Sequence, residues 1–236
     1  MVIREAIILA GGLGTRLRSV VPELPKCMAP VNDVPFLTYV ITHLLHQGIE
    51  HFIFSLGYKS EAIVEYLEKE FPSLMFKTAI EEEPLGTGGA IKKACEIAKD
   101  KFVVVTNGDT LFKVNVEKIA AVQTLTGAHC SLSLKPMYNF DRYGVVEVDK
   151  KCLITSFKEK QFYKAGLING GVYALHVNKF LDENLPEKFS FEKDYLEKLY
   201  AKRRMFGIVQ DEYFIDIGIP EDYARAQEEL KCNFLF

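Results

Sequence analysis

Hydrophobic residues in the first half of the chain follow two different spacings. Continuous apolar runs over residues 6–10 and 51–56 are typical of buried strands. Between these runs, over residues 36–45, apolar side chains recur every three or four positions, which predicts an amphipathic helix that stops at Gly48. A strand, a loop and a helix therefore follow one another in this segment.

The same alternation continues toward the middle of the chain. It predicts a helix from Ser60, which would cap it, to about Phe71, then a strand over 74–80, a helix over 90–98 and a strand over 101–106. Strands that alternate with helices are typical of a parallel sheet with helices on both faces. The first half therefore predicts a doubly wound α/β fold.

After about residue 128, strand-like segments follow one another without helices. They predict a small antiparallel addition to the sheet. These segments lie at residues 130–135, 143–149, 153–159 and 168–175. Two further helices are predicted at residues 191–201 and 221–230, with a strand between them at residues 212–218. No low-complexity linker interrupts the chain, so we expect a single domain over residues 1–236.

Composition narrows the function classes. The 236 residues are 48% hydrophobic and carry a formal net charge of −3 without a long basic run, so we expect no nucleic-acid partner. The apolar run near the N-terminus is too short for a signal peptide or a membrane span, so we expect no membrane partner. The cysteines are scattered and odd in number, which indicates reduced thiols and a cytoplasmic protein. They are Cys27, Cys95, Cys130, Cys152 and Cys232.

A glycine-rich loop follows the first strand in AIILAGGLGTRLR, residues 6–18. A dinucleotide-binding turn would have a third glycine or an alanine where Leu17 stands after Gly12 and Gly14, and its second strand would end in a carboxylate. A P-loop would have a lysine followed by a hydroxyl residue, which this segment does not contain. A tight turn and another kind of phosphate-binding loop remain as interpretations.

Two cations, Arg16 and Lys26, follow the loop, and only Glu23 opposes them nearby in sequence. They favour a loop whose backbone amides approach a polyphosphate, a ligand that normally brings Mg²⁺ held by one or two carboxylates. Asp109 follows an apolar strand, and Asp216 interrupts an apolar segment, where an unpaired carboxylate is costly. A turn at Asp109 and a salt bridge at Asp216 are the structural alternatives.

Short motifs occur in a characteristic order along nearly the whole chain. By these motifs the chain resembles the sugar-1-phosphate nucleotidylyltransferases, which implies a Rossmann-like sheet of the nucleotide-diphospho-sugar transferase type. They are LAGGLGTRL, PK at Lys26, EPLGTGGAI, NGD ending at Asp109, YGVV, FKEK ending at Lys160, NGGVY and DIGIPEDY from Asp216. Cys27 departs from the proline that many relatives have after the lysine, which bears on the stiffness of that loop.

The segments EEEPLGTGGAIK, LINGGVY, KFSFEKD and YFIDIGIPEDY resemble the guanylyltransferases of the family. This resemblance implies transfer of GMP from GTP to a sugar 1-phosphate, of the D-glycero-α-D-manno-heptose type, with release of pyrophosphate. The GDP-sugar would serve capsule or lipopolysaccharide synthesis. The alternatives are another nucleotide or sugar, mannose 1-phosphate among them, and a non-catalytic sensor of nucleotide sugars.

The resemblance also implies residue roles. Arg16, Lys26 and Asp109 would be catalytic, and Asp109 and Asp216 would hold Mg²⁺. The nucleotide would bind at Leu9, Ala10, Gly11, Gly12, Gly14, Thr15, Arg16, Glu83, Pro84, Gly86, Thr87, Gly88, Asn107 and Gly108. The sugar phosphate would bind at Gly144, Glu159, Lys160, Asn169, Gly170 and Glu192.

Several of these positions also have ordinary structural interpretations. Thr87 and Ser190 are residue types that commonly cap helices. The structural alternative for Glu192 is that it complements a helix dipole and does not bind the sugar. The apolar tail CNFLF, residues 232–236, is expected to pack on its own domain, with a homodimer contact as the alternative.

Overall fold

The computed structural model describes residues 2–12, 14, 17, 20–22 and 24–230. Its strands are short, mostly apolar segments rich in valine, isoleucine and phenylalanine, the residues that favour extended backbone. In chain order they are β1 Glu5–Leu9, β2 Pro30–Val31, β3 Val34–Pro35, β4 His51–Leu56, β5 Met75–Ile80, β6 Phe102–Asn107, β7 Thr110–Phe112, β8 Cys130–Phe140, β9 Val145–Val148, β10 Ile154–Lys158, β11 Tyr163–His176, β12 Met205–Val209 and β13 Phe214–Asp216.

The helices alternate with these strands up to β8. They are α1 Phe36–His46, α2 Ser60–Glu70, α3 Gly86–Cys95, α4 Val116–Thr126, α5 Val177–Leu181, α6 Glu197–Leu199 and α7 Pro220–Glu229. A 3₁₀ turn spans Lys26–Met28, and a π-helical turn, Phe191–Leu196, runs directly into α6.

One sheet organises the fold, in the strand order β10-β9-β11-β6-β1-β4-β5. The strands β6, β1, β4 and β5 form its parallel part. In it, β1 pairs with β6 on one side and with β4 on the other, and β4 pairs with β5. The long strand β11 then joins antiparallel to β6 and also pairs with β8 and β9. The predicted α/β fold with an antiparallel addition is therefore confirmed, and the addition belongs to the same sheet.

Helices cover both faces of the parallel part. Residues of β1 alternate, so that Ile8 packs with α1 and α2 in one buried cluster and Ile7 packs with α3 in another. Both isoleucines are completely buried. This arrangement explains why the parallel strands read as continuous apolar runs in the sequence, and it confirms the doubly wound prediction.

Several element boundaries differ from the predictions, including those of α2, α3 and β13. Ser60 is the first residue of α2 instead of its cap, because Lys59 precedes it with a φ of 53° and no side chain caps the helix. Helix α3 begins at Gly86, so Thr87 lies inside it and is not the cap. The strand predicted at residues 212–218 shortens to β13, which pairs with β7 in a separate two-stranded sheet.

The glycines that open α3 allow close packing against the segment before the π-helical turn. The amide of Gly88 donates a hydrogen bond of 3.0 Å to the Phe189 carbonyl, and a Cβ at Gly88 would overlap the Phe189 ring. At Gly86, which has a φ of 73°, a Cβ would lie 2.6 Å from the same carbonyl oxygen. These glycines therefore join α3 to the second half of the chain.

None of the helices in the described ranges is both long enough and apolar enough to cross a bilayer.

We predict that Gly88→Ala lowers the free energy of unfolding by about 1–3 kcal/mol, the usual cost of overpacking a tight contact. The matched control is Gly12→Ala, because a Cβ at Gly12 would meet nothing within 4 Å. Urea unfolding of both variants measures the difference. Equal stability of the two variants would show that Phe189 yields to the added methyl group.

Candidate active site

A cleft of about 820 Å³ opens where β1, β4, β5 and β6 end. The carboxyl ends of parallel strands meet at one edge of a sheet, which is where open α/β sheets bind ligands. Twelve of the residues that line the cleft are among the site residues predicted from the sequence: Leu9, Ala10, Gly11, Gly12, Gly14, Lys26, Pro84, Gly86, Thr87, Asn107, Asp109 and Asp216.

The glycine-rich loop forms one wall of this cleft. The Ala10 amide donates to the Ser55 carbonyl at 2.8 Å, and the Gly108 amide donates to the Leu9 carbonyl at 2.8 Å. The loop therefore leaves β1 fixed to both neighbouring strands. Gly108 supports the loop in this way without lining the cleft.

Two predicted nucleotide ligands, Thr15 and Arg16, lie outside the described residues.

Lys26, Asp109 and Asp216 come together in the same cleft, where Lys26 lies against Gly14 of the loop. Lys26 opens the 3₁₀ turn, Asp109 follows β6, and Asp216 ends β13. The Lys26 ammonium donates to an Asp109 carboxylate oxygen and lies 3.5 Å from Oδ1 of Asp216. The structure therefore brings both predicted metal ligands to one cation. The ion pair at Asp216 is also the structural alternative given above, so the metal-binding role of the two aspartates stays a prediction.

The β7–β13 pair explains how these distant aspartates meet. Asp216 lies opposite Thr110 in the antiparallel ladder, and the Ile217 amide donates to the Asp109 carbonyl at 3.1 Å. Directly afterwards α7 begins, and its buried Asp222 accepts a hydrogen bond of 2.5 Å from Arg142. Backbone pairing on one side and an ion pair on the other thus fix the Asp216 turn.

Burial of Asp216 raises its pKa above the ordinary value, and the nearby Asp109 carboxylate raises it further. Lys26 and the Gly218 amide, which donates to Asp216 at 2.7 Å, oppose that shift. Burial, assisted by Asp109, also raises the pKa of the Cys27 thiol to about 12, so this thiol is protonated at neutral pH and is a poor nucleophile.

Nine residues that line the cleft were not predicted from the sequence. Glu81 follows β5, and its carboxylate accepts hydrogen bonds from the Leu85 amide at 2.8 Å and from the Ser55 hydroxyl at 3.3 Å. The missed lining residues are Cys27, Ser55, Gly57, Tyr58, Glu81, Glu82, Ala90, Thr110 and Gly218. Four of them, Gly57, Tyr58, Glu81 and Glu82, directly follow β4 or β5, so their position after parallel strands was the available signal.

Besides Gly108, two predicted nucleotide ligands in the described ranges do not line the cleft. Glu83 is exposed beside it, and Gly88 is buried under Phe189. The tight packing at Gly88 gives this glycine a structural role that the sequence pattern alone did not separate from base binding.

Among the described residues, none of the predicted sugar-phosphate ligands lines the cleft. Asn169 donates to the Tyr173 hydroxyl at 2.9 Å and accepts from the Gly171 amide at 3.0 Å. Gly170 packs under Phe112, and Gly144 packs on the Lys158 carbonyl.

Glu192, Glu159 and Lys160 complete that set. Glu192 accepts a hydrogen bond of 2.7 Å from Thr87, a residue that does line the cleft. Glu159 and Lys160 are exposed beyond β10. The binding roles of these three residues stay predictions.

A parallel-sheet cleft with a glycine loop, a partly buried lysine and two converging aspartates is typical of an enzyme that acts on phosphates. The chain belongs to the family described as Nucleotidyl transferase, whose sequence model matches residues 5–232. This match confirms the predicted class, a sugar-1-phosphate nucleotidyltransferase.

Two relatives described as D-glycero-alpha-D-manno-heptose 1-phosphate guanylyltransferase are similar over nearly their whole length. The protein of Aneurinibacillus thermoaerophilus is 50% identical over 96% of this chain and 98% of its own. That of Campylobacter jejuni is 49% identical over 93% of this chain and 96% of its own.

A solved structure is also similar, that of HddC from Yersinia pseudotuberculosis complexed with GMP-PN. It is 38% identical to this chain, with a TM-score of 0.85, and the match covers 97% of this chain and 100% of HddC.

We predict that Asp216→Asn raises the free energy of unfolding at pH 7. Because the pKa of Asp216 is raised above 3.8, the folded protein retains this proton to higher pH than the unfolded chain does. As the pH rises from the pKa of Asp216 in the unfolded chain to its raised pKa in the folded protein, the native protein therefore loses stability. The variant has no carboxyl group at this position and does not.

Urea unfolding at about pH 4 and about pH 7 tests the sign of this effect. The gap between variant and native protein should widen at the higher pH. Asp211→Asn is the control, because Asp211 is an exposed aspartate that also pairs with a lysine, Lys135. A gap that is the same at both pH values would contradict the raised pKa.

Proposed function

We propose that this enzyme transfers GMP from GTP to D-glycero-α-D-manno-heptose 1-phosphate and releases pyrophosphate. The observation that carries the proposal is the convergence of Lys26, Asp109 and Asp216 beside the glycine-rich loop. The two guanylyltransferase relatives, at 50% and 49% identity, support the choice of nucleotide and sugar.

The reaction is a displacement at the α-phosphorus of the triphosphate. An oxygen of the sugar phosphate forms the new bond to phosphorus, and the bond from this phosphorus to the bridging oxygen of pyrophosphate breaks. A phosphate monoester has a second pKa of about 6, so the attacking group is already largely dianionic at neutral pH and needs no general base. Catalysis therefore consists of positioning and of charge neutralisation.

The described cleft residues fit these two tasks, and Arg16, which lies outside the described ranges, is assigned by the family resemblance. The amides of Gly11 to Gly14 approach the triphosphate, Arg16 neutralises the pyrophosphate end, and Lys26 donates to the α-phosphate as its charge increases. Asn107 and Pro84 support this assignment of the nucleotide because both line the same cleft.

Asp109 and Asp216 would hold Mg²⁺. Their fit is supported by the structure, since both carboxylates already contact one cation, the Lys26 ammonium. Two carboxylates with phosphate oxygens are a typical Mg²⁺ ligand set. When bound, the metal would neutralise charge on the phosphates that react.

This proposal assigns the base to one end of the cleft and the sugar to residues that adjoin that end. Pro84, Gly86 and Thr87 border the end assigned to the base. Glu192 is the favoured sugar ligand, because its hydrogen bond to Thr87 connects it to the cleft. Gly144, Glu159, Lys160, Asn169 and Gly170 complete the proposed acceptor side.

We further infer a single catalytic domain that works in the cytoplasm and supplies a GDP-heptose for capsule or lipopolysaccharide. Four described cysteines, Cys27, Cys95, Cys130 and Cys152, are free thiols, which supports a reducing compartment. Cys232 and the tail that could join a homodimer lie outside the described residues.

A substrate panel tests the reaction. We expect pyrophosphate release with Mg²⁺, GTP and the manno-heptose 1-phosphate to exceed release with ATP, CTP, UTP or dTTP, or with mannose 1-phosphate. Asp109→Asn is the control and should abolish turnover while its circular dichroism matches that of the native protein. Turnover with another pair alone would overturn the substrates, and binding of nucleotide sugars without turnover would favour a sensor.

The role of Lys26 is tested by Lys26→Ala. Loss of a donor to developing charge typically lowers kcat by about 10²- to 10³-fold, and we expect a much smaller change in the KM for GTP. Steady-state kinetics with the preferred substrates measures both constants. An unchanged kcat would show that Lys26 does not stabilise the transition state.

A further inference from the structure

One lysine contacts both carboxylates assigned to the metal. The Lys26 ammonium donates to Asp109 and lies 3.5 Å from Oδ1 of Asp216. Only 12% of the Lys26 side chain is exposed, against 28% for Asp109 and 23% for Asp216. Because water screens such partly buried charges weakly, their mutual attraction exceeds that of a surface ion pair.

Two glycines hold the lysine in this position. A Cβ at Gly14 would lie 2.9 Å from Cβ of Lys26, so the glycine-rich loop rests directly on the lysine side chain. A Cβ at Gly218 would lie 2.9 Å from the Lys26 ammonium, so the turn after Asp216 closes over its other end. The ammonium is therefore confined between the two carboxylates by packing as well as by charge.

We propose that Lys26 competes with the divalent cation for Asp109 and Asp216, and that the triphosphate ends this competition by drawing the ammonium to its own oxygens. The second half of this inference rests on the proposed function, since it assigns the α-phosphate to Lys26. The first half concerns the protein alone.

Charge explains why the competition matters. Two carboxylates and one ammonium leave the cluster with one net negative charge, which attracts a divalent cation weakly. A triphosphate adds several negative charges, so the lysine and the metal can then both remain in the cleft. The protein thereby binds metal weakly alone and tightly together with nucleotide.

Mn²⁺ binding measured by electron paramagnetic resonance tests this inference without turnover. The nucleotide-free native protein, Lys26→Met and Lys26→Gln are titrated with Mn²⁺, and circular dichroism establishes that each variant is folded. Lys135→Met is the matched control, because it removes a lysine from an ion pair with Asp211 outside the cleft lining.

We expect both Lys26 variants to bind Mn²⁺ at least about tenfold more tightly than the native protein, and the control to bind as the native protein does. Adding a non-hydrolysable GTP analogue should remove this advantage. Unchanged or weaker Mn²⁺ binding in the folded Lys26 variants would overturn the inference, because Lys26 would then only hold the carboxylates together.

The two proposals fail in different ways. If the native protein releases no pyrophosphate from GTP in the substrate panel, the proposed function fails, whereas the nucleotide-free Mn²⁺ titration still tests the competition. If the panel succeeds and the titration shows no gain, only the competition is excluded.

Discussion

Two carboxylates that repel each other lie in one partly buried cleft, and the rest of the site depends on holding them there. The backbone bond from Ile217 to the Asp109 carbonyl and the β7–β13 ladder supply that constraint. Burial and the repulsion from Asp109 disfavour the charged form of Asp216, and its pKa is therefore raised. Lys26 offsets part of this shift, which makes the lysine, the two aspartates and the ladder one physical unit.

The sheet determines where this unit meets the nucleotide. Because β1 lies between β4 and β6, the glycine-rich loop is bonded to both neighbours as soon as it leaves the sheet. Gly14 of this loop also lies against the Lys26 side chain. A loop that would be an ordinary turn in isolation thereby becomes the wall of a phosphate site.

The second half of the chain contributes support as well as chemistry. Strand β11 extends the sheet beyond β6, and Phe189 packs against the glycines that open α3. Thr87 in α3 then reaches Glu192 at the start of the π-helical turn, a kind of irregularity that is frequent at functional sites. The rim assigned to the base and the side assigned to the sugar are therefore physically connected.

The sequence by itself determined the alternation of strands and helices, the glycine-rich loop, and the candidates Lys26, Asp109 and Asp216, because periodicity and misplaced charges are local properties. Only the tertiary structure decided that the two aspartates share one cation and that Glu81 and Ser55 line the cleft together. It also gave Gly88 a packing role that its motif did not reveal. These outcomes depend on which strands pair and which side chains meet across the sheet, and contacts between residues so distant along the chain leave no periodic signal in it.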